Sequence, residues 1–195
     1  MRAVAVLVLA LGAAPAASAQ ELSAYTGLYV GSFDHENPRP SAFTDSVSSW
    51  KVYGGVQLGD HFGFEVAHGS TGEFDGGPSG SPLNVGVRMF NTAHSVQFGL
   101  TTFRAMGILP LRWGAVWLAY GGYLMDADVE FTSATIGRAS LTEDHEDQTA
   151  ALGVERRFDR LGRSIDVRLE YEWFDFPFSD ASTVGVGVAY RFKGL

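Results

Sequence analysis

The clearest pattern in the chain is a pair of alternating runs near its end. Ile165-Asp166-Val167-Arg168-Leu169-Glu170-Tyr171-Glu172-Trp173 sets Ile, Val, Leu, Tyr and Trp against Asp, Arg, Glu and Glu. Val184-Gly185-Val186-Gly187-Val188-Ala189-Tyr190-Arg191-Phe192 sets Val, Val, Val, Tyr and Phe against Gly, Gly, Ala and Arg. Successive side chains in a strand point to opposite faces, so each run predicts a ribbon with one wholly apolar face ending in aromatics. What that face touches, a protein core or lipid, decides the fold.

Six more strands are predicted upstream. The first, 24–32, is semi-apolar on both faces, and its orientation stays open. The polar, Pro-containing segment 33–46 reads as a loop. The second strand, 47–58, sets Trp50, Val52, Val56 and Leu58 against Lys51, Tyr53, Gly55 and Gln57. A tight turn at Gly59-Asp60 leads into the third, 61–72, with Phe62, Phe64 and Val66 opposite Gly63, Glu65 and Ala67. Residues 73–82 form a Gly- and Pro-rich loop, and the alternation at 84–88 fits either a strand or that loop. The fourth strand lies within 95–109, where Arg104 shares a face with Phe98, Leu100, Met106 and Ile108. The fifth, 113–127, puts Trp117, Ala119, Gly121, Tyr123 and Met125 on one face, which the pattern assigns to the outside. Residues 128–148, with Glu143, Asp144, His145, Glu146 and Asp147, read as a long acidic loop before the sixth strand, 149–158.

Short connections follow strands two, four and six, long polar ones follow one, three and five, and the one after seven is intermediate. An even strand count with short turns at one end and long loops at the other predicts an all-β fold, an eight-stranded antiparallel transmembrane up-and-down β-barrel. Each strand can supply the roughly nine to eleven tilted residues that a bilayer requires, and a closed barrel leaves no edge in lipid.

A soluble lipocalin-like carrier would show the same alternation with its apolar face inward. The membrane arrangement is favoured by the aromatics Trp50, Trp117, Tyr123, Trp173, Tyr190 and Phe192, expected to face lipid as girdles. It is favoured too by the polar faces, where Lys51, Glu65, Glu155, Arg157, Arg168, Glu170, Glu172 and Arg191 carry both signs and can pair inside a narrow lumen. Arg104 facing lipid at mid-depth would cost about 2–4 kcal/mol, so it is expected in the lumen or at a rim, with Thr101, Phe103 and Ala105 toward lipid.

Composition adds the compartment. Arg2, the apolar run 3–11 and the small-residue site Ala17-Ser18-Ala19 predict a secretory signal peptide, residues 1–19, cleaved before a single barrel domain, 20–195. The chain has no Cys, which excludes a disulfide scaffold and an acylated N-terminal Cys. Of 14 basic and 22 acidic residues, Arg2 leaves with the leader, so 13 against 22 gives a net charge of −9 and argues against nucleic acid as a partner. No later run approaches the length of a helical membrane span. No metal site, cofactor fingerprint or phosphate-cradling Gly loop is present, so no cofactor is expected.

The segments Lys51–Leu58 and Phe62–Val66, then Ile108-Leu109-Pro110-Leu111, Ala151–Glu155, Leu169–Glu172 and Val186–Phe192, resemble in order the OmpA-like and OmpX-like eight-stranded outer-membrane barrels. The resemblance covers nearly all of the mature chain. It implies residence in the outer membrane of a diderm, Gram-negative-type bacterium, in contact with lipid and lipopolysaccharide. It also implies insertion by the barrel assembly machinery, for which Tyr190-Arg191-Phe192 resembles the terminal signal, although Lys193-Gly194-Leu195 follow it. No peptidoglycan-binding domain is expected beyond them. A monomer is expected, with a structural, surface-interaction or minor porin-like pore role and no catalysis.

Two features point elsewhere. His68-Gly69-Ser70 places His and Ser on one face of a strand and resembles the surface pair of PagL-type lipid A esterases, where His activates a Ser nucleophile. No orienting carboxylate accompanies it, and a polar strand end explains the pair more simply. The acidic cluster 143–147 lacks the regular oxygen-ligand spacing of a calcium loop. For the lumenal charges, a static plug of ion pairs is favoured over a gated pore, because side chains fill an eight-stranded barrel.

Overall fold

The predicted strands close into one sheet. The computed structural model describes residues 22–36, 46–75, 83–85, 88–90, 93–133, 137–160, 163–176 and 179–192; the expected leader and residues 193–195 lie outside them. The wall consists of β1 (Leu22–Glu36), β2 (Ser46–Leu58), β3 (Phe62–Thr71), β4 (Ala93–Leu111), β5 (Gly114–Ser133), β6 (Gly137–Arg160), β7 (Arg163–Phe176) and β8 (Ser179–Phe192). Each pairs antiparallel with its neighbours in sequence, and β8 returns to β1 with Ala24 opposite Phe192 and Val30 opposite Val186. The ring therefore has no edge at the level of these pairs. Phe74–Asp75 adds to β4, and Leu83–Val85 pairs with Arg88–Phe90.

One end carries short turns. Gly59 adopts φ 59° between β2 and β3, a left-handed conformation that a Cβ would strain. Arg112-Trp113 joins β4 to β5, whose register closes with Leu111 opposite Gly114. At the other end the strands extend to unequal heights.

The apolar face points outward. Leu28 is 63 % exposed, and Val52, Phe103, Leu118, Leu152, Leu169 and Val186 line the same outer surface. Trp50, Trp173, Tyr190 and Phe192 also lie on that outer face. A water-soluble carrier would instead bury such a band, so the lipocalin-like alternative is overturned. The inner face carries the ionised side chains, as a wall in contact with lipid requires.

Three expectations change. Trp117 and Tyr123, assigned to the lipid face, point into the barrel and are 2 % and 1 % exposed. β5 is apolar on both sides: Leu118, Tyr120 and Leu124 take the outer face, and alternation alone cannot say which side turns in. The expected loop 128–148 is largely strand, because β5 runs on to Ser133 and β6 starts at Gly137, joined in register by Asp126 opposite Asp144 and Val129 opposite Leu141. Ala127 and Val129 are fully buried on the inner face of this extension, which supplies the packing that the acidic composition hid. Finally, the stretch between the last two strands shortens, since β7 continues to Phe176 and β8 begins at Ser179.

Candidate functional site

The candidate site is the lumen, which has two layers. At its centre, β2, β3, β4 and β7 each send charged side chains inward. Glu65 accepts a two-pronged contact from Arg168, at 2.6 and 3.1 Å, and a further hydrogen bond from Arg104. Arg104 also reaches Glu170 at 2.8 Å and Glu172 at 2.9 Å. The Lys51 ammonium bridges the same two carboxylates at 2.6 and 2.7 Å. Three cations thus meet three anions, and all six side chains are buried. Charge balance permits this, since an unpaired buried charge would be far costlier than a paired one.

Neutral groups complete the shell. The Tyr25 hydroxyl donates to Glu65 at 3.0 Å and the Thr149 hydroxyl to Glu172 at 3.1 Å. Arg168 lies over the Tyr53 ring, 3.6 Å from its centroid, and Trp117 sits 5.3 Å from Arg168 and 5.7 Å from Arg104. An indole face beneath two guanidiniums is a favourable electrostatic position, and this is the physical reason Trp117 turns inward. Small residues make the room. A Cβ at Gly153 would lie 2.3 Å from the Trp117 ring, and one at Gly27 would lie 2.5 Å from Tyr53.

Nearer the short turns a second charged group forms. Asp166 binds Arg191 at 2.7 Å and Arg157 at 3.0 Å, and Arg191 also contacts Glu155 at 3.3 Å. Arg157 sits at the mouth with its side chain 40 % exposed. The mouth opens into a cavity of about 300 Å³ bordered by Gln57, Trp113, Trp117, Glu155, Arg157 and Arg191.

Above the central network the lumen becomes apolar. Phe33, Phe74, Phe98, Phe174, Phe176 and Tyr123 form an aromatic cap, with neighbouring ring centroids about 6 Å apart, such as Phe33–Phe98 at 5.8 Å and Tyr123–Phe174 at 5.4 Å. Tyr123 faces inward to join it and donates its hydroxyl to the Asp175 carbonyl at 2.8 Å. Between cap and network lies a cavity of about 30 Å³, room for roughly one water.

Of the eight charges named from sequence, Lys51, Glu65, Arg168, Glu170 and Glu172 meet in the central network, and Glu155, Arg157 and Arg191 in the lower group. Sequence reasoning missed Asp166, although it stands on the polar face of β7, and the tyrosines Tyr25, Tyr29 and Tyr53. The alternation Tyr25-Gly27-Tyr29-Gly31 was the available signal: large rings spaced by glycines suit a crowded lumen. Arg104 lies at the hub, with Phe103 on the outer face.

His68 and Ser70 both face outward and take separate partners. His68 Nδ1 lies 2.9 Å from the Thr101 hydroxyl, while Ser70 donates to the Thr71 carbonyl and accepts from Gln97 at 3.1 Å. The acidic cluster is split by the strand: Asp144 and Glu146 are exposed on the outer face, and Glu143, His145 and Asp147 lie on the inner one. Among the described residues no group of three or more His, Asp or Glu is arranged to hold a metal ion.

The family model of the outer membrane protein beta-barrel domain matches residues 3–192. No curated protein matches the chain. Among solved structures, Ail, the attachment invasion locus protein of Yersinia pestis, in complex with the heparin analogue sucrose octasulfate, superimposes with a TM-score of 0.55. It is 13 % identical, over 89 % of this chain and 99 % of that one. Neisserial surface protein A superimposes with a TM-score of 0.50 at 11 % identity, over 88 % of this chain and 96 % of that one. At these identities the likeness concerns the fold.

Proposed function

Because the chain belongs to the outer membrane protein beta-barrel family, and so resides in the outer membrane of a Gram-negative bacterium, we propose that it is a sealed, non-catalytic scaffold that meets partners outside the cell through strands rising above the lipid. The observation that carries this reading is the filled lumen. A charge-balanced network spans the barrel, an aromatic cap lies above it, and the cavity between them is about 30 Å³. Passing an ion would require separating the buried partners of that network, and each broken buried pair costs several kcal/mol.

The same reading includes insertion by the barrel assembly machinery through the closing aromatic strand, a monomeric state, and contact of the outer wall with lipid and lipopolysaccharide. The outward side chains above the lipid favour partners unlike the sulfated sugar held by Ail. Asp126, Asp128, Asp144 and Glu146 line the exposed face of β5 and β6, and such a surface repels a polyanion.

Planar-bilayer recording tests the seal. Wild-type protein should show no discrete conductance steps. Wild-type openings whose size or frequency changes in Lys51→Ala and Glu170→Ala would establish a gated pore in its place.

A further inference from the structure

The cavity at the short-turn end has a wall of two kinds. Met106, Ile108 and Pro110 of β4, Trp117 of β5 and Trp113 in the turn between those strands make part of it apolar. Glu155 and Arg157 of β6 and Arg191 of β8 make the rest charged. At about 300 Å³ the space suits one small molecule, since ligand pockets run from about 300 to 1,000 Å³.

Two of these charges are only partly engaged. Arg157 donates from Nε to Asp166 at 3.0 Å, while its Nη2 stands 3.8 Å from Glu155, beyond hydrogen-bond distance. The contacts of Glu155 with Arg157 and, at 3.3 Å, with Arg191 both fall on Oε1, so Oε2 remains as an acceptor. Arg191, by contrast, already donates to Asp166, Ser23, Gln57 and Glu155.

The charges around the cavity also balance. Arg112, Arg157 and Arg191 stand against Asp60, Glu155 and Asp166, so a bare anion or a bare cation would leave one sign in excess. What is missing is an acceptor for Arg157 and a donor for Glu155, close together and beside an apolar wall. A carboxylate and an ammonium on one carbon, with an apolar side chain, supply all of these.

We propose that this cavity binds a single α-amino acid with an apolar side chain, its carboxylate on Arg157, its ammonium on Glu155 Oε2 and its side chain against Trp113 and Trp117. The short turns of an outer-membrane barrel face the periplasm, so the ligand comes from that side. The site goes beyond the surface role proposed above and is independent of the seal, which conductance reads and binding does not.

The test is isothermal titration calorimetry on the whole protein in nanodiscs of zwitterionic phospholipid, with L-leucine as the probe. Three analogues each remove one feature: 4-methylpentanoate lacks the ammonium, isopentylamine the carboxylate and glycine the side chain. Leucine should bind saturably, and each analogue at least about tenfold more weakly, as expected when a charge-assisted hydrogen bond or an apolar contact is lost. Arg157→Gln and Glu155→Gln should each weaken leucine by a similar factor. Both should keep the folded band on unheated gels, because Asp166 and Arg191 still hold each other at 2.7 Å. In Arg157→Gln the ligand carboxylate loses its partner, so leucine and isopentylamine should bind alike. Absence of saturable leucine binding at about 10 mM would overturn the proposal. So would equal binding of any analogue to the wild type: either charged one would show that a single charge suffices, and glycine that the apolar wall takes no part.

Discussion

Arg104 holds three carboxylates from two strands, Glu65 on β3 and Glu170 and Glu172 on β7, and without it Lys51 and Arg168 would be left as two cations against three anions. Arg104→Leu should therefore destabilise the barrel by about 3–5 kcal/mol, the usual consequence of leaving buried charges unpaired. Urea unfolding in lipid vesicles, followed by Trp fluorescence, measures this, and a variant more stable than wild type would contradict the inward placement. Gly153→Val should prevent the heat-sensitive folded band from forming, because the new Cβ would occupy the position of the Trp117 ring. His35 is the titratable ring of the cap, packed 5.6 Å from Phe176 and 5.8 Å from Phe98. It lies above the outer apolar band, at the level where Asp34 stands between Ser46 and Ser182 on the neighbouring strands. Burial lowers its pKa from 6.5 to about 4. The folded state then binds fewer protons than the unfolded chain, so this contribution to stability is complete above about pH 6.5 and is lost as pH falls toward 4. The urea midpoint should drop between pH 7 and pH 4.5 in wild type and drop less in His35→Phe.

At the scale of the element, the extension of β5 and β6 depends on one inner row. Met125, Ala127 and Val129 insert into the aromatic cap, while Asp126 and Asp128 face out. Val129→Asp would bury a carboxylate among phenylalanines, at a cost of several kcal/mol unless it protonates. The extension should then become sensitive to proteinase K within 128–148, while the lipid-embedded part of the barrel remains protected. The alternation of that row was present in the sequence, but on β6 the run from Glu143 to Asp147 offers no apolar partner for it. Pairing with β5, and not its own pattern, makes that segment a strand. β5 lower down has the opposite difficulty: both faces are apolar, so the inward turn of Trp117 and Tyr123 could not be read from the strand itself.

For the whole molecule, two separations of polarity hold at once. The outer wall is apolar around the ring, and the lumen is charged in its middle and aromatic above. Leu169 lies midway between Ile165 and Trp173 on the outer face, so Leu169→Arg should cost about 2–4 kcal/mol of stability in lipid, the price of a cation near the midplane. Arg168, the adjacent residue, bears its charge without that penalty because it faces Glu65 and Glu170. Comparing Leu169→Arg with Leu169→Ala by urea unfolding separates the charge from the lost side chain.

Strand identity, ring closure and the outward apolar face were legible in the chain itself, because alternation is a local property of extended backbone and the runs at 165–173 and 184–192 state it without ambiguity. The charged residues of β2, β3, β6 and β7 could likewise be assigned inward one strand at a time, since their opposite faces are apolar. Where both faces of a strand are apolar or semi-apolar, as in β1 and β5, the choice depends on what the opposite wall contributes to the lumen. Trp117 turns in because two guanidiniums from other strands lie above it, and Tyr123 because Phe174 and Phe176 come to meet it. The partners of each charge were decided in the same way. These are relations between residues distant in sequence, and the assembled barrel brings them together.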